Sequence, residues 1–93
     1  MIALSEIELK LKQKINISYI EVIDLRGGDH IQVIVVSSEF ENKSLIEQHK
    51  IVYDVLSEEI KTNQIHALTL KTYSPNQWEE VKVSFKRRVE HEI

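Results

Sequence analysis

The chain has 93 residues, of which 42% are hydrophobic and 29% are charged, with 12 Lys and Arg against 15 Asp and Glu. This length predicts one domain, and the ordinary composition argues against a disordered chain. The net charge of −3 lacks the basic excess that is typical of nucleic-acid-binding modules. The sequence contains no cysteine, which excludes disulfides and every thiolate site built from this chain alone.

No membrane or secretory segment is expected. Glu6 and Glu8 interrupt the N-terminal apolar stretch, which therefore lacks the hydrophobic centre of a signal peptide. The longest aliphatic run, Val33–Val36, is far shorter than the ~20 residues that span a bilayer. We therefore expect a protein of the cytoplasm or, after import, of an organelle matrix.

The first predicted element is a helix over about residues 4–15. Ser5 and Glu8 form a capping-box pattern, in which each side chain can bond the backbone N–H of the other residue. Apolar residues then recur at helical spacing, while lysines occupy the positions between them.

A β-hairpin follows the first helix. Alternating β-branched residues predict strands over 19–24 and 30–37. Gly27 and Gly28 lie between the two strands, where a tight turn needs a backbone with positive φ. The pair lacks the further residues of a dinucleotide or P-loop fingerprint, so it predicts a turn and not a phosphate site.

A second capping box, at Ser44 and Glu47, precedes the clearest amphipathic helix. The apolar face of this helix contains Leu45, Val52, Leu56 and Ile60. Residues 65–73 then predict a third strand.

A last helix is predicted over about residues 75–89. Ser74, Pro75 and Gln77 supply an N-cap, a first-turn proline and a capping-box partner, and Trp78 begins an apolar stripe at helical spacing. The element order αββαβα predicts an α+β domain with a three-stranded sheet and helices packed on one face. We expect a single domain over residues 1–93, with its core at about 4–80.

The candidate metal ligands are four histidines, and no two of them have the spacing of a preformed zinc site. His49 lies on the apolar face of the second helix, so we expect a buried histidine that hydrogen-bonds a neighbour. His66 lies at the start of the third strand, where both a structural and a functional role are open. No serine has the context of a catalytic nucleophile, and adjacent glutamates diverge on a helix, so we expect a protein without enzymatic activity.

Several segments in this order resemble the BolA family. The most specific are Ile65-His66-Ala67-Leu68 and Pro75-Asn76-Gln77-Trp78. The others are residues 24–30, 35–40, 43–45, 48–49, 52–53 and 71–73. The resemblance covers about residues 4–80 and implies an αββαβ core similar to class II KH domains. Asn42 stands where family members often carry glycine, and asparagine tolerates the left-handed backbone that such a turn needs.

The resemblance also implies a function. Many BolA proteins bind monothiol glutaredoxins of the Cys-Gly-Phe-Ser type and share a bridging [2Fe–2S] cluster with the glutaredoxin and glutathione, in iron–sulfur trafficking or iron sensing. The implied ligands are His66 and a second residue from the hairpin loop, for which His30 is the candidate and Asp29 the alternative. The chain alone is expected to hold no cofactor. The expected partner contacts lie beside these ligands: Arg26, Gly27, Gly28, Asp29 and Ala67.

Two alternatives remain open. The first is a KH-like nucleic-acid-binding transcription regulator, for which the contacts would be His49, Lys50, Lys86, Arg87 and Arg88. The net charge and the absence of the Gly-x-x-Gly loop with which KH domains clamp the backbone argue against it. The second is a weak homodimer formed through an exposed strand edge.

Overall fold

The computed structural model of the protein describes residues 3–25, 27 and 30–82. Its elements are α1 (Leu4–Lys14), β1 (Ile17–Asp24), β2 (His30–Ser37), a 3₁₀ turn (Ser38–Phe40), α2 (Leu45–Val55), α3 (Ser57–Lys61) and β3 (Ala67–Tyr73). Residues 75–82 are helical and are called α4. The predicted order αββαβα is confirmed, with the second predicted helix divided into α2 and α3 at Leu56. The remainder of the predicted extension, residues 83–89, lies outside the described residues.

The three strands form one sheet in the order β1-β2-β3, with β2 in the centre. β1 pairs with β2 antiparallel, as expected for a hairpin joined by a short loop. β2 pairs with β3 parallel. Parallel neighbours must be joined by a crossover, and α2 and α3 form that crossover. The N-terminal ends of β2 and β3 therefore lie side by side.

The hydrophobic core lies between the sheet and α1, α2 and α3. Alternate residues of β2, namely Ile31, Val33 and Val35, are at most 1% exposed, as the period of two in a strand requires. They join a cluster with residues from the helices and β3: Ile7, Leu11, Ile15, Phe40, Val52, Leu56, Ile65 and Leu70. Full burial of each large aliphatic side chain contributes about 1.5–3 kcal/mol. The α+β fold predicted from the sequence is confirmed.

The opposite face of the sheet carries an aromatic cluster. Tyr19 and Tyr73 are both in register with Val36 on the central strand, so the three side chains share a face. The Trp78 ring stacks on Tyr19 at a centroid distance of 5.0 Å and contacts Tyr73 at 5.4 Å. The prediction that the helices pack on one face of the sheet thus holds for α1, α2 and α3, whereas Trp78 of α4 packs against the other face.

Two of the three predicted capping boxes are present. The Ser44 hydroxyl accepts from the Glu47 amide at 3.2 Å, and the Glu47 carboxylate accepts from the Ser44 amide at 2.9 Å. These bonds, led by the one from the Ser44 amide, hold the pKa of Glu47 below its usual value. Ser74 and Gln77 form the same reciprocal pair at 3.3 and 2.9 Å.

The capping box predicted at Ser5 is wrong. Helix α1 already begins at Leu4, with Ala3 as its N-cap and no side-chain capping bond. Ser5 therefore lies inside the first turn, and Glu8 instead forms an ion pair with Lys12 at 3.0 Å. Leu45 also departs from the prediction, because its side chain is 60% exposed and does not join the core face.

Candidate functional site

The two predicted ligands, His30 and His66, lie at the same end of the sheet. His30 is the first residue of β2 and is in register with Ala67, the first residue of β3. His66 immediately precedes Ala67 and is exposed, so it lies in the bend that leads into the strand. Neighbouring strands are ~4.8 Å apart, and His66 lies one residue before the position that pairs with His30.

The backbone before His66 is fixed by the turn that ends α3. Asn63 adopts a positive φ of 62°, and the amides of Gln64 and Ile65 both donate to the Glu59 carbonyl, at 2.8 and 3.1 Å. The Ile65 side chain is 2% exposed and anchors this turn in the core. His66 is therefore presented to solvent between a buried anchor and the first residue of a strand.

An ion pair ties this turn to the first helix. Both Glu59 carboxylate oxygens accept from Lys10 Nζ, at 2.8 and 2.7 Å, and the Glu59 side chain is only 10% exposed. Burial raises the pKa of Glu59, but the Lys10 ammonium and a backbone N–H outweigh it, so the net pKa is lowered. Sequence analysis missed this pair, because its members are 49 residues apart and no local pattern connects them.

His30 is half-buried and is bonded across the sheet. Its Nε2 atom lies 2.6 Å from the Thr69 hydroxyl on β3, and its carbonyl accepts from the Leu25 amide at 2.8 Å, which closes the hairpin loop. The sequence analysis did not identify Thr69 as a partner of His30 either. The alternation of β3 would place it on one face with Ala67, but no pattern relates it to a histidine on another strand.

Two of the predicted partner contacts are exposed beside these histidines. Gly27 is exposed and has a φ of +50°, as the predicted turn requires. Apart from Gly27 and its chain neighbours, no atom of the described residues lies within 4 Å of the position where a Cβ would stand, so the backbone and not crowding favours glycine here. Ala67 is exposed as well. Arg26, Gly28 and Asp29 lie outside the described residues.

The donor set fits half of an iron–sulfur site. Among the described residues, no group of three or more His, Asp or Glu side chains is placed to hold a metal ion. By donor type alone, two imidazoles from this end of the sheet would correspond to the His₂ ligation of one iron in a Rieske-type [2Fe–2S] cluster. The other iron would then need its ligands from another molecule.

The residues of the nucleic-acid alternative are less favourably placed. Lys50 pairs with Asp54 on its own helix at 3.1 Å. His49 is half-buried, and its enclosed Nε2 has no hydrogen-bond partner among the described residues. The prediction that His49 bonds a neighbour is therefore wrong for this nitrogen. Lys86, Arg87 and Arg88 lie outside the described residues. In the part of the chain that the structure describes, no helix is long and apolar enough to cross a membrane.

Comparison with known proteins identifies the family. The family model for BolA-like protein matches residues 11–77. Protein BOLA2 of Arabidopsis thaliana is 41% identical over 81 residues, covering 84% of this chain and 85% of the relative. The DNA-binding transcriptional regulator BolA of Escherichia coli is 31% identical over 87 residues, covering 85% and 82%.

The fold agrees with solved structures of the family. The crystal structure of a Bol-like protein from Babesia bovis has a TM-score of 0.77 at 30% identity, covering 88% of this chain and 95% of that one. The names of these relatives describe BolA proteins and a regulator rather than enzymes. The resemblance inferred from the sequence is confirmed, and the chain belongs to the BolA-like protein family.

Proposed function

We propose that this protein is a non-enzymatic adaptor that binds a monothiol glutaredoxin of the Cys-Gly-Phe-Ser type and shares a [2Fe–2S] cluster with it. The observation that carries the proposal is the register of β2 and β3, which brings His30 and His66 to one end of the sheet. These two imidazoles would bind one iron, and thiolates of the glutaredoxin and glutathione would bind the other. We also propose a cytoplasmic location, with an organelle matrix as the alternative.

The surroundings of the two histidines support such a shared site. The turn before His66 is held by two hydrogen bonds to Glu59, so little backbone ordering is needed when a partner binds. Gly27 and Ala67 are small and exposed, which allows another protein surface to approach both ligands. When bound, the cluster would supply the redox and transfer chemistry, while this chain would position its ligands.

The test is reconstitution with a monothiol glutaredoxin, glutathione, iron and sulfide, followed by visible absorption and circular dichroism. The wild-type protein is expected to give a heterodimer spectrum that differs from that of the glutaredoxin homodimer. His66→Ala should revert this spectrum to the homodimer form, because one iron loses a ligand. His66 is exposed, so the variant should unfold at the wild-type temperature.

A matched control is Gln64→Ala, two residues upstream. The Gln64 side chain is exposed and bonds only the Thr62 hydroxyl among the described residues, at 3.2 Å, so this variant should keep the heterodimer spectrum. If His66→Ala and Gln64→Ala both gave the wild-type spectrum, His66 would not be a ligand and the proposal would fail.

A second candidate function is nucleic-acid binding, which the name of the Escherichia coli relative supports. Binding through some six to ten phosphates loses roughly 10³–10⁵-fold in affinity between about 50 and 200 mM salt. Fluorescence anisotropy with a labelled DNA duplex at these two salt concentrations tests it. If affinity falls steeply with salt and Lys50→Ala makes this fall less steep, the result would favour a nucleic-acid-binding regulator. Weak binding with little salt dependence would oppose that function. Sedimentation of the protein alone would detect a homodimer.

A further inference from the structure

The hydrogen bond between His30 and Thr69 determines which nitrogen of His30 is accessible. The bond engages Nε2, at 2.6 Å from the Thr69 hydroxyl oxygen. A neutral imidazole carries one N–H donor and one nitrogen with a free lone pair, and the partner of one nitrogen fixes the role of the other. Ligation by His30 must therefore use Nδ1, unless this bond is broken.

Only one direction of the bond leaves Nδ1 able to bind a metal. If Nε2–H donates to the Thr69 oxygen, Nδ1 holds the lone pair. If the Thr69 hydroxyl donates to Nε2, Nδ1 carries the proton and cannot bind a metal. Metal-binding histidines almost always donate their second ring N–H to an oxygen, which fixes the ring and raises its basicity as a ligand.

We propose that Thr69 is a positioning residue for His30: its hydroxyl oxygen accepts a hydrogen bond from Nε2–H, which leaves the Nδ1 lone pair available to iron. This inference rests on the function proposed above. It assigns to Thr69 no direct contact with the cluster. It also distinguishes the two proposed ligands, since the ring of His30 is oriented by a residue of the neighbouring strand β3.

The position of Thr69 in the sheet suits this role. Thr69 is in register with Gln32, two residues after His30, so the period of two places Thr69 and His30 on the same face. The side chain of a β-branched residue has a restricted χ1 angle, which holds the hydroxyl in place. By contrast, the described residues make no hydrogen bond to the ring of the exposed His66, whose orientation the partner can adjust.

The first test uses the protein without a cluster. Long-range ¹H–¹⁵N NMR spectra at about pH 8, where an ordinary imidazole is neutral, report which ring nitrogen carries the proton, and His30→Gln assigns the signal. We expect the Nε2–H form in the wild type and in Thr69→Ser, which keeps the hydroxyl. Thr69→Val keeps the shape and removes the acceptor, so it should give a mixture of both forms. A wild-type Nδ1–H form, or a Thr69→Val spectrum identical to wild type, would overturn the inference.

The second test uses the reconstituted heterodimer and measures cluster loss to an iron chelator. Loss of such a supporting partner typically costs about 10–100-fold in metal affinity, so Thr69→Val should lose its cluster about 10-fold faster than Thr69→Ser. If His66→Ala reverts the spectrum but the two Thr69 variants behave alike, the adaptor function stands and the role of Thr69 is refuted. If His66→Ala leaves the spectrum unchanged, the adaptor function fails and the inference fails with it, whichever tautomer NMR shows.

Discussion

Replacing Lys10 by methionine should destabilise the protein by about 2–3 kcal/mol, because the Glu59 carboxylate would keep its charge but lose its ion-pair partner. Breaking a fully buried ion pair at one side costs about 3–5 kcal/mol. Here the Glu59 side chain is 10% exposed, but that of Lys10 is 32% exposed. Water can therefore replace part of the lost interaction, which brings the expected cost below that range.

A double-mutant cycle isolates the contribution of the Glu59 charge to the pair. Glu59→Gln removes the charge and keeps the shape, and it should cost about 1–2 kcal/mol because the amide still accepts from Lys10. The combined variant should lose less stability than the sum of the two single changes. We expect a coupling energy of about 1–2 kcal/mol, in the range measured for residues in direct contact.

The assay is urea unfolding followed by tryptophan fluorescence. Trp78 is the only tryptophan, and its ring stacks on Tyr19 in the folded state, so unfolding should change its emission. The matched control is Lys50→Met, which breaks a pair whose side chains are 71% and 65% exposed and should cost less than about 0.5 kcal/mol. If Lys10→Met cost no more than Lys50→Met, the reasoning about the buried carboxylate would be wrong.

Three further predictions concern polar groups inside the fold. The lowered pKa of Glu59 stabilises the folded protein at pH values above the unfolded-state pKa of about 4.3, and this contribution is lost as the pH falls through the folded-state pKa. When the pH is lowered below about 5, the urea midpoint of Glu59→Gln should therefore decrease less than that of the wild type. Gln48 donates to the Phe40 and Lys43 carbonyls and accepts from Thr72, so Gln48→Met should cost about 2–4 kcal/mol in the same assay. His49→Leu removes the enclosed Nε2 and should leave stability unchanged or raise it by up to about 1 kcal/mol; a loss above about 1.5 kcal/mol would show that this nitrogen has a partner.

Most of the fold follows from patterns that are local in the sequence. The capping pairs Ser44–Glu47 and Ser74–Gln77 lie three residues apart, so one short segment contains both partners. The strands follow from alternation, and the turn at Gly27 follows from the residue type that tolerates a positive φ. These features need no knowledge of distant contacts.

The errors occur where a local pattern fits more than one arrangement. Ser5 and Glu8 match the capping motif, but the helix begins at Leu4 with Ala3 as its N-cap. The sequence alone does not distinguish the two possible starts. Leu45 fits the helical stripe, yet it lies at the helix start and its side chain is exposed. Periodicity gives the face of a residue, whereas its burial depends on neighbouring elements.

The supporting residues of the candidate site could not be found in this way. Lys10 reaches Glu59 across 49 residues, and His30 reaches Thr69 across 39. Threonine in a strand and lysine on a helix are ordinary solvent-facing choices, so neither residue type signals a function by itself. His66 was identified through the family resemblance and not through its own spacing.

The proposed two-histidine site depends on the parallel pairing of β3. Strands rise ~3.3 Å per residue, and β2 has 8 residues. Had β3 returned antiparallel in the same position, His66 would lie roughly 23 Å away, beside the far end of β2. The α2–α3 crossover instead brings both strand starts to the same edge. The proposed shared site therefore depends on the topology of this sheet as much as on the identity of its two histidines, and a hairpin connection at this point would separate them without changing either residue.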